Sequence, residues 1–151
     1  IYLAMNVGAF CCVLGMRRNG GMVESIEDLA GLARTQPLMA LAMALLMFSM
    51  AGIPPLAGFF GKLYVFLAAV DAGLFALAII GVLASVVGAF YYLRIVKLMY
   101  FDEAADVFDR PIGREIGVIL FASTMFVTFF FVHPAPVLDA ASAAARVLFA
   151  G

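Results

Sequence analysis

The sequence predicts an all-α, polytopic transmembrane helical bundle in which one helix is discontinuous. The chain of 151 residues is 66% hydrophobic and 13% charged, whereas soluble domains are about 45–50% apolar and about 25% charged. Its apolar residues form long runs of helical length between short polar connections. One of these runs is interrupted in its middle by two adjacent prolines. This excess of apolar residues cannot be buried in one soluble core, so we expect a lipid bilayer as the surroundings. The net charge of −1 argues against a nucleic-acid partner.

The first predicted span covers residues 1–16 and is shorter than the roughly 20 apolar residues that a membrane-crossing helix needs. Because the chain lacks an initiator methionine and begins inside an apolar run, we expect it to be the C-terminal part of a longer protein. Asn6, a strongly polar residue within this run, is expected to hydrogen-bond to a neighbouring helix. Residues 17–36 are predicted to form a loop with a short helix from 26 to 33.

The discontinuous helix is predicted to cover residues 37–71, with halves at about 38–51 and 56–70. A proline lacks the N–H that a helix needs and clashes with the preceding turn, so two in succession end the first half. Exposed backbone at membrane depth is tolerated only inside protein or beside water. We therefore expect the second half to pack against other helices rather than lipid. Glycines and prolines mark the break: Gly52, Pro54, Pro55 and Gly58.

The rest of the chain is predicted to alternate between apolar helices and polar connections. A long span covers residues 74–100, a solvated loop covers 101–115, and a closing span covers 116–133. Residues 137–150 are predicted to form a short interfacial helix with one polar and one apolar face. Small residues in the long span predict close approach of another helix: Gly81, Ser85 and Gly88.

The distribution of basic residues predicts the orientation of the chain in the membrane. Seven of them fall in or beside the first and third connections, whereas the opposite side carries one, Arg146. Cytoplasmic loops are enriched in lysine and arginine. We therefore expect residues 17–36 and 101–115 in the cytoplasm and the C-terminus in the periplasm. The seven are Arg17, Arg18, Arg34, Arg94, Lys97, Arg110 and Arg114.

Lys62 is the candidate functional residue because it is the only charged residue between Arg34 and Asp71. Ionisable residues inside membrane spans are costly and mark ion or proton pathways. The alternative is that Lys62 extends its ammonium to the membrane surface. Its stem reaches about 6 Å, whereas Asp71 lies about 13 Å away along a helix axis, so we favour a proton-relay role. Candidate neighbours on a proton path are Ser49, Tyr64 and His133, but we favour a packing role for Ser49 and Tyr64 and an interfacial position for His133.

The sequence shows no pattern typical of a metal or cofactor site. The two cysteines, Cys11 and Cys12, are adjacent within an apolar run and far from His133, the single histidine. We interpret them as free thiols, because buried cysteines behave as small apolar residues. Glycines are not arranged as a phosphate-binding loop after a strand. We therefore expect no metal and no bound cofactor in this chain.

The stretch from Ala51 to Phe66 resembles the antiporter-like membrane subunits of respiratory complex I, which are similar to subunits of multisubunit Na⁺/H⁺ antiporters and membrane-bound hydrogenases. Residues 2–10, 27–32 and 90–94 fit the same family. Within it, the Gly-Lys-Leu-Tyr run at 61–64 favours the subunit N branch of bacterial NADH–quinone oxidoreductase, the counterpart of mitochondrial subunit 2.

The resemblance implies that the chain contributes the last four of fourteen helices to a proton-translocating subunit. In the family a lysine on the broken helix takes part in the proton relay, and Lys62 occupies that position. NAD, FMN, iron–sulfur clusters and quinone would bind to partner subunits, so this chain would carry no redox site. Its partners would be other membrane subunits of complex I in the bacterial inner membrane. The alternatives are a cation/proton antiporter or membrane-bound hydrogenase subunit, and a structural membrane scaffold.

Overall fold

The computed structural model describes residues 1–109 and 112–149. It is almost entirely helical, which confirms the predicted all-α class. Arg110 and Ala150, which belong to a predicted loop and a predicted helix, lie outside the described residues. The α-helices are α1 (Tyr2–Gly15), α2 (Leu32–Thr35), α3 (Pro37–Ala51), α4 (Ala57–Asp71), α5 (Phe75–Phe101), α6 (Arg114–Phe129) and α7 (Ala135–Phe149), with 3-10 turns at Ile26–Leu29 and Phe130–Val132.

Helix α3 lies at the centre of the fold. It begins with Pro37, whose missing N–H would have no partner at a helix start in any case. It packs against α1, α5 and α6, and its side chains from Met39 to Met50 supply much of the buried core. Helix α4 was expected to be the packed half of the discontinuous helix, but only Ala57 and Gly58 are buried within it. The rest of α4 is half-buried or exposed within this chain, and it is apolar apart from Lys62, Tyr64 and Asp71.

Helices α1, α3 and α6 approach most closely around Gly8. A Cβ atom at Gly8 would lie 2.9 Å from Leu46 Cδ1 on α3 and 2.9 Å from Ser123 Cβ on α6. The absence of a side chain at Gly8 therefore allows close packing of apolar helices, as in many membrane proteins. The predicted approach at Gly81, Ser85 and Gly88 is seen only in part, because Gly81 contacts Phe66 of α4.

Two helices are long and apolar enough to cross a membrane among the described residues. They cover Phe75–Phe101 and Arg114–Val132, whereas α1 and α3 are shorter apolar helices. Asn6 donates to the carbonyl oxygen of Tyr2 at 2.9 Å, one turn back on its own helix. A bond from Asn6 to another helix, as expected from the sequence, is not seen among the described residues.

The segment between α1 and α3 differs from the single short helix that the sequence predicts. Arg17–Arg18 and Gly21–Met22 form strands β1 and β2 of a short antiparallel hairpin. The expected helix from 26 to 33 is divided at Gly31, whose φ of +62° is a left-handed conformation that glycine adopts readily.

The loop after α5 was expected to be solvated, but residues 102–109 dock onto residues 17–36. The Asp109 carboxylate accepts from the backbone N–H groups of Asn19 (3.1 Å) and Gly20 (2.9 Å). Arg18 pairs with Asp28 at 3.0 Å and donates to the Asp106 carbonyl at 2.8 Å. We call residues 17–36 together with 102–109 the loop clasp.

Candidate functional site

The break in the discontinuous helix begins at the C-terminus of α3. Gly52 has a φ of +91°, and this left-handed conformation turns the chain away from the helix axis. The N–H groups of Gly52 and Ile53 donate to the Phe48 carbonyl at 3.1 and 3.0 Å, and that of Gly52 also approaches the Ser49 carbonyl at 2.9 Å. The helix end therefore satisfies two of its last four carbonyl groups locally.

Lys62 reaches back across the break to the end of α3. Its ammonium Nζ donates to the carbonyl oxygen of Ala51 at 3.1 Å. The C-terminus of a helix carries a partial negative charge, so this is a favourable place for a cation. A Cβ at position 52 would lie 3.1 Å from Lys62 Cδ, so Gly52 also leaves room for the lysine stem. Lys62 is half-buried in this chain rather than fully buried.

Ser49 reaches across the same break in the opposite direction. Its hydroxyl oxygen accepts from the backbone N–H of Gly58 at 2.9 Å, in the first turn of α4. The hydroxyl also lies 3.0 Å from Met5 Sδ on α1. A Cβ atom on Gly58 would collide with the Ser49 carbonyl oxygen, so only glycine allows the two half-helices to come this close.

A cavity of about 590 Å³ opens beside Lys62, between α1, α4 and α5. Its lining is mostly apolar and includes the polar residues Tyr2, Ser85 and Tyr92 in addition to the lysine. Ser85 and Gly88 of α5, two of the three small residues predicted to admit a packed helix, line this cavity instead.

The structure brings together some of the residues that the sequence predicts and separates others. Lys62, Ser49, Gly52 and Gly58 meet at the break, and Pro54 and Pro55 lie exposed in the turn that joins its two sides. Tyr64 is 46% exposed on α4. Among the described residues, the lining of the cavity includes neither Tyr64 nor His133.

Two participants at the break were missed by the sequence reasoning. The Ala51 carbonyl is a backbone group, and no side chain in the sequence marks it. Met5 is an ordinary apolar residue of α1, and its contact with Ser49 depends on helix packing.

Cys11 and Cys12 are buried free thiols. In the part of the chain that the structure describes, no group of three or more His, Cys, Asp and Glu residues could hold a metal ion.

A family model described as NADH:quinone oxidoreductase/Mrp antiporter, TM, matches residues 1–88. The chain is 64% identical over 148 residues to NADH-quinone oxidoreductase subunit N of Parvibaculum lavamentivorans, covering 98% of this chain and 31% of that protein. It is 66% identical over 149 residues to the Azorhizobium caulinodans subunit N, covering 99% of this chain and 31% of that protein. The resemblance to the subunit N branch is thereby confirmed, and the chain spans about a third of the length of these curated relatives.

A solved structure of respiratory complex I from Thermus thermophilus with bound aureothin contains a chain of the same fold. The TM-score is 0.75 at 30% sequence identity, over 91% of this chain and 32% of that chain. The likeness therefore extends beyond residues 1–88, which the family model matches.

Proposed function

The chain belongs to the NADH:quinone oxidoreductase/Mrp antiporter transmembrane family, and we propose on this basis that it forms part of a proton-translocating membrane subunit of NADH:quinone oxidoreductase. Lys62 is the proposed proton carrier. The observation that carries this proposal is the 3.1 Å bond from Lys62 Nζ to the Ala51 carbonyl at the helix break, beside a cavity of about 590 Å³. Intramembrane lysines beside broken helices are typical of ion and proton pathways.

The position of Lys62 suggests how its protonation would act on the protein. The protonated amine lies at the negative end of α3 and donates to its last carbonyl group. A neutral amine loses most of this attraction, so loss of the proton weakens the link between α3 and α4. A charge that moves in a neighbouring helix would in turn change the proton affinity of Lys62. The cavity provides space in which water could deliver or accept the proton.

The redox part of the reaction belongs, in this proposal, to other subunits. NAD, FMN, iron–sulfur clusters and quinone would bind to partner chains, and this chain would act as a non-redox part of the translocase. Its partners would be the other membrane subunits of complex I together with the lipid bilayer. The exposed apolar surfaces of α4 and α5 suit contacts with further helices or lipid.

We place the subunit in the bacterial inner membrane with the loop clasp on the cytoplasmic side. The excess of basic residues in and beside residues 17–36 and 101–115 supports this orientation. The C-terminus and the exposed helix α7 would then lie on the periplasmic side.

A structural role for Lys62 is the second candidate, because its bond to Ala51 would also stabilise the end of α3 without any proton exchange. A scaffold subunit of this kind would need only a fixed positive charge. A cation/proton antiporter or hydrogenase subunit is a further alternative, since the family model covers Mrp antiporters as well. Isolation of the complex and identification of its other subunits would separate this alternative from complex I.

Lys62→Arg in the full-length subunit distinguishes a proton-relay role of Lys62 from a structural role. Arginine keeps the charge and a donor for the Ala51 carbonyl, but it does not release its proton in proteins. In sealed vesicles, we expect Lys62→Arg to assemble and oxidise NADH with most proton translocation lost. Lys97→Ala, at an exposed lysine on α5, is the control. Full translocation by Lys62→Arg would contradict the relay and support a structural lysine.

A further inference from the structure

We propose that Ser49 is a positioning residue for Lys62, and that its hydroxyl keeps the first turn of α4 against the end of α3. This inference rests on the proposed function, because it concerns the residue that we assign as proton carrier. It replaces the candidate role of Ser49 on the proton path itself. The argument depends on a reciprocal arrangement in which each half of the discontinuous helix satisfies the end of the other.

The first step concerns the N-terminus of α4, which has no capping side chain of its own. The residue at the N-cap position is Leu56, and it makes no side-chain capping bond. The first N–H groups of a helix need acceptors from outside the helix. Ser49 supplies one from α3, because its hydroxyl oxygen accepts from the Gly58 N–H at 2.9 Å. Serine is a preferred capping residue, although it normally precedes the helix in sequence.

The second step is that the Ser49 hydroxyl has a fixed orientation and no access to water. The residue is 0% exposed. Its O–H donates toward Met5 Sδ at 3.0 Å, which leaves the oxygen lone pairs free for the Gly58 N–H. Water therefore cannot replace the hydroxyl if it is removed, and the Gly58 N–H would remain without an acceptor.

The third step connects this bond to Lys62. Gly58 and Lys62 are separated by one helical turn on α4, so they lie on the same face of that helix. Their two acceptors, the Ser49 hydroxyl and the Ala51 carbonyl, both belong to the last turn of α3. Two bonds one turn apart fix the distance and the rotation of α4 relative to α3. Loss of the Ser49 bond therefore leaves the Lys62 ammonium as the remaining side-chain link across the break within the described residues.

The inference is tested by measuring the accessibility of the Lys62 amine in the assembled complex that contains the full-length subunit. Purified complex is treated briefly with acetic anhydride, and acetylation at Lys62 is quantified by mass spectrometry relative to Lys97. We expect Ser49→Ala to raise relative labelling of Lys62 by about threefold to tenfold, the range that loss of one buried hydrogen bond produces in an equilibrium. Ser49→Thr keeps the hydroxyl and should restore low labelling.

Thr124→Val is the matched control, because the buried hydroxyl of Thr124 donates to the Leu120 carbonyl on its own helix, at 2.8 Å. It should leave Lys62 labelling unchanged. If Ser49→Ala does not assemble, Ser49→Cys keeps the side-chain volume with a weaker acceptor and should still raise the labelling. The positioning role would be overturned if Ser49→Ala, or Ser49→Cys where only that variant assembles, left the labelling of Lys62 unchanged. Labelling does not depend on proton translocation, so a failed relay in Lys62→Arg remains distinguishable from a failed inference here.

Discussion

The helix break and the loop clasp both join longer helices, yet they satisfy their polar groups in different ways. At the break, the Gly58 N–H and the Ala51 carbonyl each have one side-chain partner, Ser49 and Lys62. In the clasp, Arg18 alone contacts the Asp28 carboxylate, the Asp106 carbonyl and the face of the Phe108 ring.

The difference follows from access to water. Around the buried Ser49 hydroxyl a lost partner cannot be replaced by water, so the bond between Ser49 and Gly58 is necessary by itself. Much of the clasp is exposed, and water can satisfy a group that loses its partner there. Single substitutions should therefore have large effects at the break and small effects in the clasp, except where the clasp backbone is closely packed.

Gly58→Ala should have the largest effect. The added methyl group would collide with the backbone carbonyl oxygen of Ser49, which cannot rotate away as a flexible side chain would. We expect a loss of about 3 kcal/mol or more in stability, at the upper end for overpacked sites. The readout is the amount of assembled complex in membranes and its thermal denaturation midpoint.

Gly61→Ala is the matched control for this prediction, because it lies on the same helix. A Cβ atom there meets only Ile1, at 3.8 Å, which is an ordinary van der Waals distance. Alanine is also favoured over glycine inside a helix by about 0.5–1 kcal/mol. Equal stability of the two variants would mean that the close contact at Gly58 is not required, and the comparison between break and clasp would fail.

Gly31→Ala should have the largest effect within the clasp, although a smaller one than Gly58→Ala. Gly31 has a φ of +62°, and a methyl group there would collide with the backbone of Ala104. We expect a loss of about 2 kcal/mol, from left-handed strain together with displacement of a surface loop. The same thermal denaturation assay measures it.

Gly20→Ala separates the two contributions at Gly31. Gly20 has a φ of +76°, but a Cβ atom there would meet nothing within 4 Å. It should therefore show the strain alone, about 1 kcal/mol. If Gly31→Ala is no worse than Gly20→Ala, the Ala104 loop is not firmly docked, and the clasp is weaker than the structure indicates.

The helix break could be predicted from the sequence because its causes are local. Pro54 and Pro55 cannot continue a helix, and the left-handed Gly52 ends α3 next to them. Lys62 and Ser49 could be selected as candidates from the sequence, because they are rare polar residues in an apolar run. Their hydrogen-bond partners could not be predicted, because the Ala51 carbonyl and the Gly58 N–H are backbone groups that almost every residue carries.

The loop clasp could not be predicted, for a different physical reason. Asp109 and its partner Asn19 are 90 residues apart, and an acidic loop has the same composition whether it is solvated or docked. Asn6 shows the related limit for helices. Its amide could bond to another helix or to the carbonyl one turn back, and the sequence does not distinguish the two.

Asp109→Ala should have a smaller effect than Gly58→Ala and Gly31→Ala, although it removes two hydrogen bonds at once. The Asp109 carboxylate is exposed, and water can reach the N–H groups of Asn19 and Gly20 when it is absent. We expect a loss of about 1 kcal/mol or less by thermal denaturation, the range for exposed polar contacts. Asp106→Ala is the control, since among the described contacts only the backbone carbonyl of Asp106 bonds to Arg18. If Asp109→Ala lost as much stability as Gly58→Ala, the clasp would depend on single bonds as the break does. Access to water would then no longer explain the difference between the two regions.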